Sequence, residues 1–179
     1  MERFERLSRD LVQKGAIIDY YKDTVKVPNG NVVQWDFIQH KGAAAVIPVT
    51  DEGKILMVRQ YRNALDRETL EIPAGGLNGA EEPTRDAAIR ELEEETGYRS
   101  TEVELLITIR TTVAFCNEKI DIYVARNLQK SHQNLDEDEY IDVYEYSMDE
   151  LLDMIYTGKI EDGKTVSGLL AYDNKFRRP

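Results

Sequence analysis

Glu91, Glu94 and Glu95 stand at i, i+3 and i+4. On a helix they share roughly a 100° sector of one face. Like charges so placed repel, weakening an isolated helix by roughly 0.2–0.5 kcal/mol per pair. A hard divalent cation, which prefers carboxylate oxygens, reverses that sign. Ala87 and Ala88 fall on the same side one turn earlier, where small side chains would leave room over the helix. Ile89 and Leu92 form the apolar side expected to pack on a sheet, and Glu93 points away, expected to be merely solvated. The chemistry open to such a face is cation binding.

The charge balance of the chain gives this face more weight. Of 179 residues, 34 are acidic and 23 basic, a net charge of −11. Residues 81–95 hold seven acids and two bases, and residues 136–145 hold six acids and no base. Those two patches account for the whole excess, and the rest of the chain is neutral. Two solvated faces would also explain it. The acidity argues against general nucleic-acid binding, which needs Lys and Arg against phosphates. With one cysteine, Cys116, and two histidines, His40 and His132, the chain has no intramolecular disulfide, no Cys-rich zinc site and little for a histidine-based triad. The loop Asp136-Glu137-Asp138-Glu139 lacks the spacing of an EF-hand. The longest apolar run, Ala43–Val49, is too short to span a bilayer, and no apolar stretch behind Met1–Arg6 marks a signal peptide. A cytoplasmic protein is expected.

The stretch Gly76–Tyr98 resembles the Nudix hydrolase signature: Gly, five residues, Glu, seven residues, then Arg-Glu-aliphatic-any-Glu-Glu-any-Gly-aliphatic. Gly76, Glu82, Arg90, Glu91, Leu92, Glu94, Glu95 and Gly97 match, and Tyr98 replaces the final aliphatic residue. The seven fixed Gly, Glu and Arg positions would match by chance on the order of once in 10⁸–10⁹ windows. The resemblance implies Mg²⁺ (or Mn²⁺) chemistry on a nucleoside diphosphate linked to another group. It assigns metal ligation to Glu91, Glu94 and Glu95, and to Arg90 the orientation of the glutamates through charge-assisted hydrogen bonds. The carbonyl ligand it implies is that of Ala74 or Gly75, with both left open. A doubly negative diphosphate needs bridging cations to neutralise its oxygens and acidify a water.

The resemblance extends to Val58-Arg59-Gln60-Tyr61-Arg62, Leu70-Glu71-Ile72-Pro73-Ala74-Gly75 and the acidic loop, which together look like ADP-ribose pyrophosphatases. That implies hydrolysis of ADP-ribose or a related nucleotide sugar to a nucleoside monophosphate and a sugar phosphate. Glu137 is then the candidate general base, with Glu139 as second choice or an additional metal ligand. Arg62 and Arg59 become candidate phosphate or ribose contacts, or else surface arginines at strand ends. Trp35 would stack on the base or sit in a core or interface, and Glu71 would contact substrate or form a structural salt bridge. One departure stands out: Thr111–Glu118 lacks the Ser-Pro-Gly common to these enzymes, which leaves the sugar open. The alternatives are a GDP-sugar or other nucleotide-sugar pyrophosphatase, and a catalytically silent nucleotide-sugar sensor.

These residues must be carried by a mixed sheet flanked by helices, an α+β fold of the α/β/α Nudix sandwich type. Residues 1–40 read as a β-rich arm, with strands at Ala16–Tyr21, Thr24–Val27 and Val32–Ile38 and a turn at Pro28-Asn29-Gly30. By resemblance this arm makes a homodimer, and residues 41–179 form the Nudix domain. Ala43–Thr50 reads as a buried strand, followed by strands at 54–60 and 70–76. Residues 84–96 form the glutamate helix, stopped by Gly97. Strands follow near 103–110, 119–125 and 140–146. A capping box at Ser147 opens a helix to about Tyr156, and a last helix covers Thr165–Tyr172.

Overall fold

The computed structural model describes residues 3–79, 81–137 and 139–178; Met1, Glu2, Ala80, Pro179 and Asp138 of the second acidic patch lie outside them. The chain divides into two compact units, residues 1–42 with 110–119, and residues 43–109 with 120–179.

The first unit is built on an antiparallel sheet of β1 (Glu5–Lys14), β2 (Ile18–Lys26) and β3 (Val32–His40), in that order. The sequence reading missed β1 and split β2 in two. Its charged residues explain both errors. Arg9 and Asp23 are register partners, joined by two hydrogen bonds of 2.7 and 2.6 Å, and the Arg9 guanidinium lies 3.4 Å from the centre of the Phe37 ring. Asp23 is thereby buried within a run that looks polar in one dimension. Only a cross-strand partner makes such a residue fit a strand. The Thr111–Glu118 segment runs beside β3, with Ile38 N–H bonded to Phe115 O at 2.7 Å.

In the second unit, β4 (Ala43–Pro48), β5 (Ile55–Arg62), β6 (Arg67–Glu71) and β7 (Ala74–Gly76) lead into α1 (Thr84–Thr96). After it come β8 (Tyr98–Arg99), β9 (Glu102–Arg110), β10 (Lys119–Arg126), β11 (Gln129–Lys130) and β12 (Ile141–Tyr146), then α2 (Met148–Tyr156) and α3 (Gly163–Phe176). One sheet has the order β7-β4-β10-β9, with β4 and β10 parallel; a second has the order β12-β5-β6.

β4 is buried along its whole length because both of its faces are covered. Ala43, Ala45 and Ile47 face a core shared with Ile122 and Val124 of β10, Met148 and Leu151 of α2, and Leu169 and Tyr172 of α3. Ala44 and Val46 face the other way, onto Ala87, Ala88 and Leu92 of α1. The period-two alternation of a strand thus makes the expected sandwich, α1 on one side and α2 with α3 on the other. Each fully buried Ile or Leu here contributes on the order of 1.5–3 kcal/mol. Ala87 and Ala88 are fully buried against the sheet, so they do not leave room over the glutamates as expected. Their small size lets α1 come close to β4.

The strand expected over 70–76 is two strands in two sheets, β6 and β7. Pro73 has no N–H to extend a ladder, and the chain turns there from one sheet to the other. α1 ends at Gly97, whose φ of +71° suits a residue without Cβ. Ser147 and Glu150 form the reciprocal capping box of α2. α3 begins earlier and ends later than expected, capped by the Asp162 carboxylate on Thr165 N–H.

Candidate active site

α1 carries the expected carboxylates, and its burial separates them by role. Glu91 and Glu95 are 8% and 2% exposed, whereas Glu94 is half-buried. Burial pushes the Glu91 carboxyl up to about 7, with Arg90 opposing the shift and Glu94 and Glu139 adding to it. Burial pushes Glu95 up to about 8, reinforced by Glu91 and Glu139 and opposed by the Ala74 amide. Two buried carboxylates, one of which raises the proton affinity of the other, are a set short of positive charge.

Arg90 supplies part of that charge. It donates to Glu91 at 2.5 Å, to Glu94 at 2.9 Å, to Glu82 at 3.1 and 3.3 Å, and to the Gly76 carbonyl at 3.2 Å. One guanidinium fork therefore gathers Glu82, Glu91 and Glu94 and leaves Glu95 outside its reach. Glu82 was not singled out as a site residue, although its fixed spacing from Arg90 marked it. Its carboxylate also accepts from Asn78 N–H at 2.5 Å, closing the loop before α1.

The β7 backbone is fitted to the same carboxylates. Ala74 N–H donates to Glu95 at 3.0 Å. A Cβ at Gly75 would lie 2.1 Å from a Glu91 oxygen, so any larger residue there would push the Glu91 carboxylate from its place. Among the described residues, no three carboxylates are gathered into a ready-made cation cage. Glu91 and Glu94 turn to Arg90, and Glu95 to the Ala74 amide. The residues still fit a divalent cation: the donors are hard oxygens, their charge exceeds what Arg90 balances, and the backbone beside Glu91 carries no side chain.

The acidic loop is stitched to the end of α1. Ser131 N–H bonds Gly97 O at 2.7 Å, and Asn134 N–H bonds Glu94 O at 3.0 Å. The Gln133 side-chain amide bridges Glu95 O at 2.6 Å and Ile141 O at 3.3 Å. These bonds satisfy carbonyls that every helix end leaves open. Ser131 Oγ also donates to Glu93, so Glu93 is half-buried and engaged rather than merely solvated. Glu137 and Glu139 are exposed on the loop, and Glu139 contributes to the field at both Glu91 and Glu95.

The other candidates are distributed more widely. Glu71, 2% exposed, accepts from Arg62 at 2.8 and 2.6 Å, from Thr69 at 2.5 Å and from Lys164. It is held down to about 2, because Arg62 and Lys164 outweigh the cost of its burial. Lys164 carried no signal in the sequence. Arg59 donates to Asp142 at 2.7 Å and lies over the Tyr144 ring at 4.9 Å. Trp35 belongs to the first unit, half exposed, where it lines a depression of about 620 Å³ with Tyr20, Asp36, Ile38, Ala114 and Phe115.

A layered sheet thus presents an arginine-organised carboxylate helix to a glycine-bearing strand. The chain belongs to the NUDIX domain family, whose model matches residues 39–168. Hydrolases of that family generally require a divalent metal. The chain is 43% identical over 162 residues to a methanol dehydrogenase activator of Bacillus methanolicus, covering 89% of this chain and 87% of the relative. It is 38% identical over 161 residues to an ADP-ribose pyrophosphatase of Bacillus subtilis, covering 89% and 86%. To an ADP-ribose pyrophosphatase of Mycobacterium tuberculosis it is 32% identical over 170 residues, covering 94% and 82%. A crystal structure of an ADP compounds hydrolase superposes with a TM-score of 0.86 over 99% of this chain and 98% of that one, at 18% identity. That likeness is one of fold.

Proposed function

We propose that the chain is a Mg²⁺-dependent pyrophosphatase of ADP-ribose or a related nucleoside-diphosphate sugar. Water attacks one phosphorus, the P–O–P bridge breaks, and a nucleoside monophosphate and a sugar phosphate leave. The observation that carries this reading is the packing of Gly75 against Glu91 beside the buried Glu95, a carboxylate pair short of positive charge. The relatives named as ADP-ribose pyrophosphatases support the substrate class.

Glu91, Glu94 and Glu95 would hold the metal, with Mn²⁺ as a substitute, and the carbonyl of Ala74 or Gly75 is the backbone donor. A bound divalent cation supplies neutralisation of diphosphate oxygens and a more acidic water. Arg90 orients the glutamates. Glu137 is our candidate for the base that takes the proton of the attacking water, and Glu139 is second or an added ligand. Arg62, Arg59, Glu71 and Trp35 remain candidate substrate contacts, of which Trp35 has the most open face. The first unit forms the arm of a homodimer, supported by the exposed Leu7, Leu11, Val12 and Ile18 of its sheet. A cytoplasmic setting suits the lone cysteine.

The test is a panel of nucleoside-diphosphate sugars, ADP-ribose and GDP-mannose among them, with Mg²⁺ in ¹⁸O-water. Mass spectrometry should find one labelled monophosphate product from ADP-ribose or a close analogue. Tight binding without turnover anywhere in the panel would favour a sensor. A second reading is favoured by one observation, that the relative at 43% identity is named an activator of methanol dehydrogenase. Under it, this chain raises the rate of a partner alcohol dehydrogenase, and Glu95→Gln removes the effect.

A further inference from the structure

The segment Glu71–Gly75 is tied at every residue. The Glu71 carboxylate accepts from Lys164 Nζ, and Ile72 N–H donates to Thr165 Oγ1 at 3.1 Å. Pro73 O accepts from Val46 N–H at 2.9 Å. Ala74 N–H holds Glu95, and Gly75 abuts Glu91. The first two ties come from one place, the opening turn of α3. Lys164 is 9% exposed and Thr165 fully buried. Asp162 fixes both of them, accepting from Lys164 Nζ at 2.9 Å, from Thr165 Oγ1 at 2.6 Å and from Thr165 N–H at 2.9 Å.

A need for packing alone does not call for this arrangement. A buried ion pair often contributes no more than apolar residues of the same volume, so Lys164 is a costly choice for filling space. What a network of directed bonds adds is fixed geometry. Here the geometry ends, three residues after Glu71, on the amide that grips Glu95.

We propose that Lys164 and Thr165 are positioning residues: the first turn of α3 sets the height of the 71–75 segment, and through it the placement of Glu95 and Glu91 for a divalent cation. The proposal rests on those glutamates being the cation ligands. Lys164 and Thr165 act on the cation through the 71–75 segment and are not its ligands. Residues that orient metal ligands are as much part of a metal site as the ligands themselves.

The experiment compares the full-length wild type with Lys164→Met, Thr165→Val and Lys164→Arg. Calorimetric titration with Mg²⁺ and Mn²⁺, without substrate and well below Tm, reads the cation Kd directly. Lys164→Met and Thr165→Val should each weaken it by about 10- to 100-fold. Lys164→Arg, which keeps a cation that can reach Glu71, should recover most of the loss. In turnover, both weakened variants should need more Mg²⁺ for half-maximal rate while keeping a near-normal KM for the sugar nucleotide at saturating Mg²⁺. A merely structural role would lower Tm and leave the cation Kd unchanged, and that result in folded variants overturns the proposal. Should Lys164→Met fail to fold, Thr165→Val decides the matter alone, because it removes one hydroxyl and no charge. A wild type that takes up neither cation overturns the metal-site reading itself, and this proposal with it.

Discussion

Glu95 is a carboxylate that burial and the neighbouring Glu91 keep short of ionisation, pushed up to about 8. Its amide isostere keeps the shape and the acceptor for Ala74 N–H while removing the charge that a cation needs. Glu95→Gln should therefore fold, hold or raise the metal-free Tm, and lose about 100-fold or more of its turnover rate. Near-normal rates would remove Glu95 from the metal site. The base is separable by the same logic: Glu137→Gln should cut kcat with little change in KM, and if only Glu139→Gln is inactive, the base is Glu139. Glu71 behaves in the opposite sense. Its folded-state pKa of about 2 lies below the ordinary value of 4.5. The unfolded chain takes up the proton first as pH falls, so the stability from Glu71 is present above about pH 4.5 and lost toward pH 2. The amount is on the order of 3 kcal/mol. Urea unfolding from pH 7 to pH 2 should show this slope in the wild type and a flattened one in Glu71→Gln. An unchanged slope would mean Arg62 and Lys164 do not hold Glu71 in solution.

At the scale of elements, α1 is fixed at both ends by groups distant in sequence. At its start, Thr84 Oγ1 reaches Asp121 and Tyr123 of β10 at 2.8 and 2.7 Å. At its end, Gln133 bridges the carbonyls of Glu95 and Ile141 and so closes the base of the acidic loop. Gln133→Ala leaves those two carbonyls without that donor. It should cost about 0.5–1.5 kcal/mol in denaturant unfolding and speed amide exchange over 134–137 in the folded state. Exchange equal to the wild type would show the loop to be held by its backbone bonds alone. α1 and its C-terminal Gly97 were legible because helical period and stop signal act within one turn. β1, β8 and β11 were not. Their residues become strands only through partners such as Asp23 for Arg9, which linear patterning does not display.

At the scale of the whole molecule, the sheet of the first unit leaves Leu7, Leu11, Val12 and Ile18 between 43% and 53% exposed. On our homodimer proposal, these side chains would lie at the interface between copies. Light scattering should give twice the mass of the chain, and Leu11→Asp should shift it toward one. A wild type that stays monomeric at all concentrations would remove the homodimer. The −11 charge also has a structural meaning at this scale. Glu82, Glu91 and Glu94 of the first patch gather on Arg90, whereas Glu137 and Glu139 stay exposed on the loop.

The sequence alone determined the family, the glutamate helix, its arginine and the glycines around it. Those residues follow one another at fixed spacing, and helix geometry turns spacing directly into a shared face. The tertiary structure decided what the spacing could not express. Ala87 and Ala88 belong to the core rather than to an opening, Glu93 has a partner, and Glu71 closes on Arg62, Thr69 and Lys164. Each of these depends on how deeply a side chain is buried and on a partner brought from another element. Burial and partnership arise only when the sheets and helices pack. The same packing gives the buried Glu91 and Glu95 their raised affinity for protons and, on our reading, for a cation.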